Sequence, residues 1–246
     1  STFFFFFLMV FIKTLSILIY PEPKHRAVSA AQTTSFNLQQ IKNYLAYFVQ
    51  SPVLVAWLAV LLSFKIADGL AGPLLKPLMV DLGLSFSQIG LYVTMLGACA
   101  ALIGAGLAGY SLKLIRRATA LVLYSVLKIF SLAAYTWLAF QYENQHSIQP
   151  WLIYLINAFE DMTSSMLLVV MLTLVMQYSR KHLAGTDFTF QVALMATVSG
   201  GLYSVSGLLG DWLGYFNYLC MIVVIAMLSL WFIFKWRGIA MHSDLS

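Results

Sequence analysis

The sequence predicts an all-α membrane protein with seven transmembrane helices, the last six forming one bundle. Three observations carry that prediction. Hydrophobic residues make up 61% of the 246 residues and charged residues only 9%, against about 25% charged in an ordinary soluble domain. Seven stretches reach the roughly 20 apolar residues that a helix needs to cross a bilayer. Lys and Arg alternate between the links joining those stretches. Too few charges remain to coat a soluble globule, which excludes a cytosolic enzyme, a secreted disulfide scaffold and a disordered tail. The runs are too long and too continuously apolar for barrel strands, the other structure able to span lipid.

The spans fall at about 2–20, 52–76, 86–109, 118–140, 150–178, 188–210 and 216–236. One set of alternate links holds Lys24, Arg26, Lys42, Lys113, Arg116, Arg117, Arg180, Lys181, Lys235 and Arg237, ten of the fourteen basic residues. The opposite set holds only Lys76. The bias of basic residues toward the cytoplasm then places the C-terminus inside and the N-terminus outside a cell inner membrane. The same bias explains the net charge of +5 without a nucleic-acid partner. Cys99 and Cys220 lie in apolar runs and form no disulfide framework.

The sequence opens with Ser1 and a run of five Phe, and the first span has no basic leader and no small-residue cleavage site. It makes a poor signal peptide, and a bare span beginning outside suggests the remnant of a longer chain. Residues 21–50 form a cytoplasmic linker, carrying Pro21, Pro23, Lys24, His25 and Arg26 and ending in an amphipathic segment, 36–48, suited to the membrane surface. Residues 51–237 make the six-helix bundle, and 238–246 a cytoplasmic tail. The six spans read as two triplets, the layout of half-transporters built from inverted three-helix repeats.

Ionisable residues inside spans are costly and mark candidate functional sites. The second span carries Lys65 and Asp68, three apart and on one helix face. They form either a self-neutralising structural pair or a contact for substrate or ion. The fifth span carries Tyr154, Asn157, Glu160, Asp161 and Ser164 along one arc. Burial and mutual repulsion of adjacent carboxylates raise a carboxylate's proton affinity, so Glu160 or Asp161 is a candidate proton carrier. The alternative is a structural partner for Lys65. No His or Cys completes a metal site, and no cofactor is expected. Lys13 and Lys128 lie within spans and keep undecided roles.

Glycine concentrates in the third span (Gly97, Gly104, Gly106, Gly109) and the sixth (Gly200, Gly201, Gly207, Gly210). Small residues allow close helix approach in lipid, either within the bundle or against another copy or a missing half. Gly200-Gly201 also suits a flexible point. The basic links at Lys113 to Arg117 and Arg180 to His182 read as topology signals, with gating as the alternative. The four histidines, His25, His146, His182 and His242, form no cluster. Metalloprotease, serine-hydrolase, phosphate-loop and redox-dithiol motifs are absent, so an enzyme is not expected.

Three stretches resemble the C-terminal half of a major facilitator superfamily transporter of the AmpG muropeptide permease group, whose relatives take up siderophores or carry acetyl-CoA. Lys65-Ile-Ala-Asp68-Gly69, with Leu82-Gly83 and Gln88-Ile89-Gly90, is similar to the group's Lys-x-x-Asp span and following loop. Phe159-Glu160-Asp161-Met162, with Leu172 to Met176, is similar to its Phe-Glu-Asn span, with Asp161 in place of Asn. Ala184 to Thr189, with Gly210 to Tyr215, is similar to its eleventh span. Thr186-Asp187-Phe188-Thr189 sits closer to the siderophore-uptake branch.

The resemblance implies that the seven spans are family spans six to twelve and that the first five are missing. It puts the second and fifth spans at a central cavity, and the third and sixth against the opposite half. The function it implies is secondary active, proton-coupled symport of a siderophore or muropeptide-like solute by alternating access. Lys65, Asp68, Asn157 and Tyr154 would contact the solute, and Glu160 and Asp161 would handle the proton. The expected partners are the lipid bilayer, the solute, protons, and the missing N-terminal half or a partner chain. The alternatives are a non-transporting remnant or assembly subunit that binds a partner through its glycine face, and, less favoured, a membrane-embedded transferase.

Overall fold

The computed structural model describes Phe11, Leu15 and residues 46–243. The rest of the first span including Lys13, most of the linker and the end of the tail lie outside the described residues. The chain divides into two units at Tyr44 and Leu45, and the second holds six helices long and apolar enough to cross a membrane. They are α1 (Pro52–Asp81), α2 (Phe86–Ser111), α3 (Arg117–Glu143), α4 (Pro150–Gln177), α5 (Ala184–Leu213) and α6 (Tyr215–Ser243). Among the described residues there is no strand. The described end of the amphipathic segment, residues 46–48, lies in a helical stretch, 46–50, and Phe48 is buried 5.0 Å from the Phe190 ring.

Local sequence explains the ends. Pro52 and Pro150 open α1 and α4, where a missing N–H costs nothing. Ser85 and Gln88 form a reciprocal cap that starts α2. Gly83 and Gly214 turn the chain at positive φ, +91° and +75°. The expected end of α1 at Lys76 is wrong by five residues, because the helix continues to Asp81 through Pro73 and Pro77. A proline disturbs the carbonyls of the preceding turn. Here a neighbour supplies a donor, as Tyr218 Oη donates to the Leu70 carbonyl at 2.9 Å.

The packing interleaves the two triplets. α1 packs on α5 and α6, α4 packs on α2 and α3, and α3 packs on α6. Exchanging the triplet α1–α2–α3 with α4–α5–α6 leaves this set of main partners unchanged. α2 and α5 occupy equivalent places and are the least buried of the six.

Two apolar clusters fill the interior. One joins Leu70 to Met79, Leu132 to Ala139, Ile153, Ile156 and Tyr218 to Ala226. The other joins Trp57 to Leu61, Ala120 to Tyr124, Met166 to Val175, Ile233 and Trp236. On α1, α3, α4 and α6 the break between clusters falls near the middle of the helix. Lys65, Lys128, Glu160 and Ser229 sit at those breaks. A polar layer therefore lies between two apolar ones, about midway along the helices.

The helix ends differ in charge. The end where α1, α3 and α5 begin carries Lys113, Arg116, Arg117, Arg180, Lys181 and Arg237. The other end carries Asp81, Glu143 and Asp211. There Tyr215 Oη donates to Asp81 at 2.6 Å, and the Phe216 N–H donates to Glu143 at 3.1 Å, which fastens the start of α6.

Candidate functional site

The middle layer begins with the pair read from sequence. Lys65 and Asp68 face the same side of α1, and Lys65 Nζ donates to Asp68 Oδ2 at 2.6 Å. The residue that joins this pair to α4 is Lys128 of α3, whose role the sequence left open. It is 5% exposed. Its Nζ lies 3.9 Å from Asp68 Oδ1 and donates to both Glu160 and Ser164 on α4. Ser164 Oγ also donates to Glu160 Oε1 at 2.8 Å. The result is an alternating row, Lys65, Asp68, Lys128, Glu160, running across three helices with no net charge. Each ion has an opposite neighbour, which is how charges survive burial. The structural partner of Glu160 is thus Lys128 rather than Lys65.

Hydroxyls line the same face of α3. Ser131 Oγ donates to the Lys128 carbonyl at 2.8 Å, and Ser125 lies one turn the other way. Spacing of three keeps Ser125, Lys128 and Ser131 on one side of the helix. That polar stripe is the sequence signal that would have pointed Lys128 inward.

Asp161 has a different setting. Its Oδ2 accepts from Asn157 Nδ2 at 2.8 Å, and among the described residues it makes no ion pair within 4.0 Å. Asn157 is the buried centre of a second network. Its Oδ1 accepts from Tyr135 Oη at 2.9 Å, and its amide also donates to the Val93 carbonyl at 3.2 Å. Val93 belongs to a π-helical turn, Ile89–Thr94, in which the Thr94 side-chain Oγ1 also donates to the Ile89 carbonyl at 3.0 Å. Such turns redirect backbone groups and recur at functional sites. Sequence pattern did not reveal it.

Glu160, Asp161 and Asn157 line an open pocket of about 390 Å³ between α1, α2 and α4. Its α2 wall is Val93, Thr94, Gly97, Ala98 and Ala101, and its α1 wall is Gly72, Leu75 and Lys76. Lys76, expected in a link, is therefore a pocket cation on the extended α1. Lys65 and Asp68 do not line this pocket. Asp68 and Lys128 instead border a cavity of about 10 Å³ with Ser125 and Ser229. Tyr154 stacks on Tyr92 at 5.3 Å, one turn along α4 from Asn157. The sequence-derived residues thus fall into a charge row, Lys65, Asp68 and Glu160 joined by Lys128, and a separate network of Asn157 and Asp161, with Tyr154 stacked beyond it, and only the α4 carboxylates and Asn157 reach the open pocket.

The glycines divide into two sets. A Cβ on Gly97 would sit 2.0 Å from Asp161 Oδ2, and one on Gly104 would sit 2.4 Å from the Met162 carbonyl. Gly69 and Gly210 are crowded too, with a Cβ at 2.8 Å from the Ser199 carbonyl and 2.4 Å from the Leu74 side chain respectively. These positions seat α2 on α4 and α5 on α1. Gly106, Gly109, Gly200, Gly201 and Gly207 meet nothing within 4 Å. The close-packing reading holds for the first set alone.

Another buried ion pair lies at the basic end. Arg180 grips Asp187 through two side-chain bonds, at 2.8 and 2.9 Å, plus its own backbone N–H at 2.8 Å. Asp187 is 0% exposed, and Gln191 one turn on accepts from Trp57 Nε1 at 2.8 Å. This cluster ties the start of α5 to the end of α4 and to α1, so Arg180 does structural work beyond orienting the chain. No protein-family model matches the chain.

Proposed function

We propose that this protein is the C-terminal half of a secondary active transporter of the major facilitator type, moving a small solute by alternating access with proton coupling. The observation that carries the reading is the row of paired charges held at mid-bundle and ending at Glu160, which with the neighbouring Asp161 lines an open pocket. Supporting it are the packing pattern unchanged by triplet exchange and the low burial of α2 and α5. Those are the two helices that the family resemblance turns toward an opposite half. In this reading the basic end faces the cytoplasm of a cell inner membrane.

The chemistry follows from who is paired with whom. Lys128 stands between Asp68 and Glu160 and has two carboxylates to choose from. Protonating Glu160 would weaken its hold and shift Lys128 toward Asp68, giving the element two arrangements for coupling. Asp161, held by a neutral amide at the pocket wall, is the better placed of the two carboxylates to exchange a proton with it. Lys76 on the facing wall supplies a positive contact for an anionic solute, whereas Lys65 does not line the pocket. A ferric siderophore is the first candidate and a muropeptide the second.

The test is uptake by cells expressing this chain with a separately encoded N-terminal half, comparing Asp161→Asn and Glu160→Gln with the parent. Loss of pH-dependent uptake in either variant is expected. Full pH-dependent uptake in both would overturn the proton roles. A second reading, a non-transporting subunit that docks a partner on α2 and α5, is favoured by the open glycines and by exposed side chains such as Leu102 and Trp212. Stable complex formation without uptake of either solute would favour it.

A further inference from the structure

A cavity of about 450 Å³ opens at the basic end, where α3 begins and α4 and α6 end. Three guanidinium residues line it, Arg116, Arg117 and Arg237, and no lining residue is acidic. Among the described residues none of the three makes an ion pair within 4.0 Å. This contrasts with Arg180 nearby, which is matched by Asp187. Arg117 Nη1 donates to Gln177 Oε1 at 2.7 Å, which fixes its stem against α4 and leaves its remaining donors for the cavity.

The backbone adds to the positive character. Arg116 occupies the cap position of α3 in an extended conformation, and no side chain caps the helix. The amides of the first turn have no acceptor within the helix, and residues 117–119 of that turn line the cavity. The aligned peptide dipoles reinforce them. Tyr178 and Trp236 give the cavity an apolar flank, with Trp236 Nε1 donating to Tyr178 Oη at 3.1 Å. Three arginines, a free helix start and an aromatic flank at a membrane edge suit a ligand with an anionic phosphate head and an apolar or sugar-like neighbour.

We infer that this cavity is a binding site for an anionic phosphate group, supplied by a lipid headgroup or by a soluble phosphate. Basic pockets between helix ends recognise anionic headgroups, and Arg matches phosphate oxygens with paired donors. Nothing in this site depends on the transport reading, because its residues lie outside the mid-bundle layer.

The experiment uses the full chain, delipidated in neutral detergent, with native mass spectrometry to count bound molecules. Dioleoyl phosphatidylglycerol, dioleoyl phosphatidylcholine and inorganic phosphate are titrated separately. The chains compared are the wild type, Arg116→Gln/Arg237→Gln, and a control, Lys113→Gln/Lys181→Gln, that removes the same charge from the same end outside the cavity. The wild type is expected to bind one phosphatidylglycerol in preference to phosphatidylcholine. The arginine variant should bind it about thirtyfold more weakly, at about 1 kcal/mol per basic residue, while the control stays near wild type. Binding of phosphatidylglycerol but not of inorganic phosphate assigns the site to a lipid. Binding of both, lost together in the arginine variant, assigns it to soluble phosphates as well. Equal weakening in arginine variant and control, unchanged binding in the arginine variant, or equal affinity for phosphatidylcholine would overturn the inference. Helical circular dichroism on each variant separates loss of the site from loss of the fold, and an unfolded arginine variant is replaced by Arg116→Lys/Arg237→Lys, expected to retain part of the affinity.

Discussion

Replacing Lys128 with Met tests how much of the bundle depends on one buried ammonium. Met fills most of the same length, so the change removes charge and donors while nearly keeping packing. Asp68 lies 3.9 Å from Nζ, and a pair at that distance is worth about 4 kcal/mol in an environment of effective dielectric about 20. Glu160 lies nearer and is 12% exposed. Asp68 keeps Lys65 at 2.6 Å after the substitution, so the uncompensated group is Glu160. Breaking a buried pair from one side costs about 3–5 kcal/mol, and that is the loss expected for Lys128→Met. Adding Glu160→Gln removes the stranded charge, so the double variant should recover most of it. The assay is equilibrium unfolding by SDS titration in mixed micelles, run on wild type, both single variants and the double. A cost below about 1 kcal/mol, as for an exposed pair, or no recovery in the double variant, would refute the reasoning.

Other outcomes follow from the same geometry. Gly97→Ala should destabilise by about 1–3 kcal/mol, as overpacking does, because its Cβ meets Asp161 and Asn157. Gly106→Ala, with open space around it, should stay within about 0.5 kcal/mol of wild type; the same unfolding assay compares them. Tyr218→Phe removes one donor from the Leu70 carbonyl and should cost about 0.6–1 kcal/mol; no measurable loss would show that α1 carries its prolines unaided. Asp187→Asn leaves Arg180 without its carboxylate and should speed proteolysis of the α4–α5 link, with a stability loss of about 1.5–3 kcal/mol.

Six of the seven expected spans are helices among the described residues, since apolar runs of that length have few other structures open to them in lipid. The helix ends were harder to read. α1 outran its expected end because the helix continues past Lys76 through Pro77 to Asp81, while a tyrosine on α6 supports the Leu70 carbonyl in the turn before Pro73. Within the site, Lys65 with Asp68 and the carboxylates of α4 were legible because charges inside apolar runs stand out. Pairing was not legible. Lys128 meets Glu160 and Asp68 from other helices, and sequence spacing carries no information on contacts between helices. The π-helical turn at Ile89–Thr94 and the Arg180–Asp187 clamp were missed for the same reason. Each is fixed by a neighbour distant in sequence or by local geometry without a pattern of its own.

The proposed function requires that Glu160 and Asp161 open onto water rather than acyl chains. In a Cys99→Ser/Cys220→Ser background, a single cysteine at Ala98 or Ala101 lies on the pocket wall beside Asp161. A cysteine at Leu228 lies on the exposed apolar face of α6. With the chain in a bilayer, a charged, membrane-impermeant thiol reagent should modify the pocket cysteines quickly and leave the Leu228 cysteine untouched. Pocket cysteines as inert as the one on α6 would mean that lipid fills that side, and the charge layer would then be a structural device without a path to solvent.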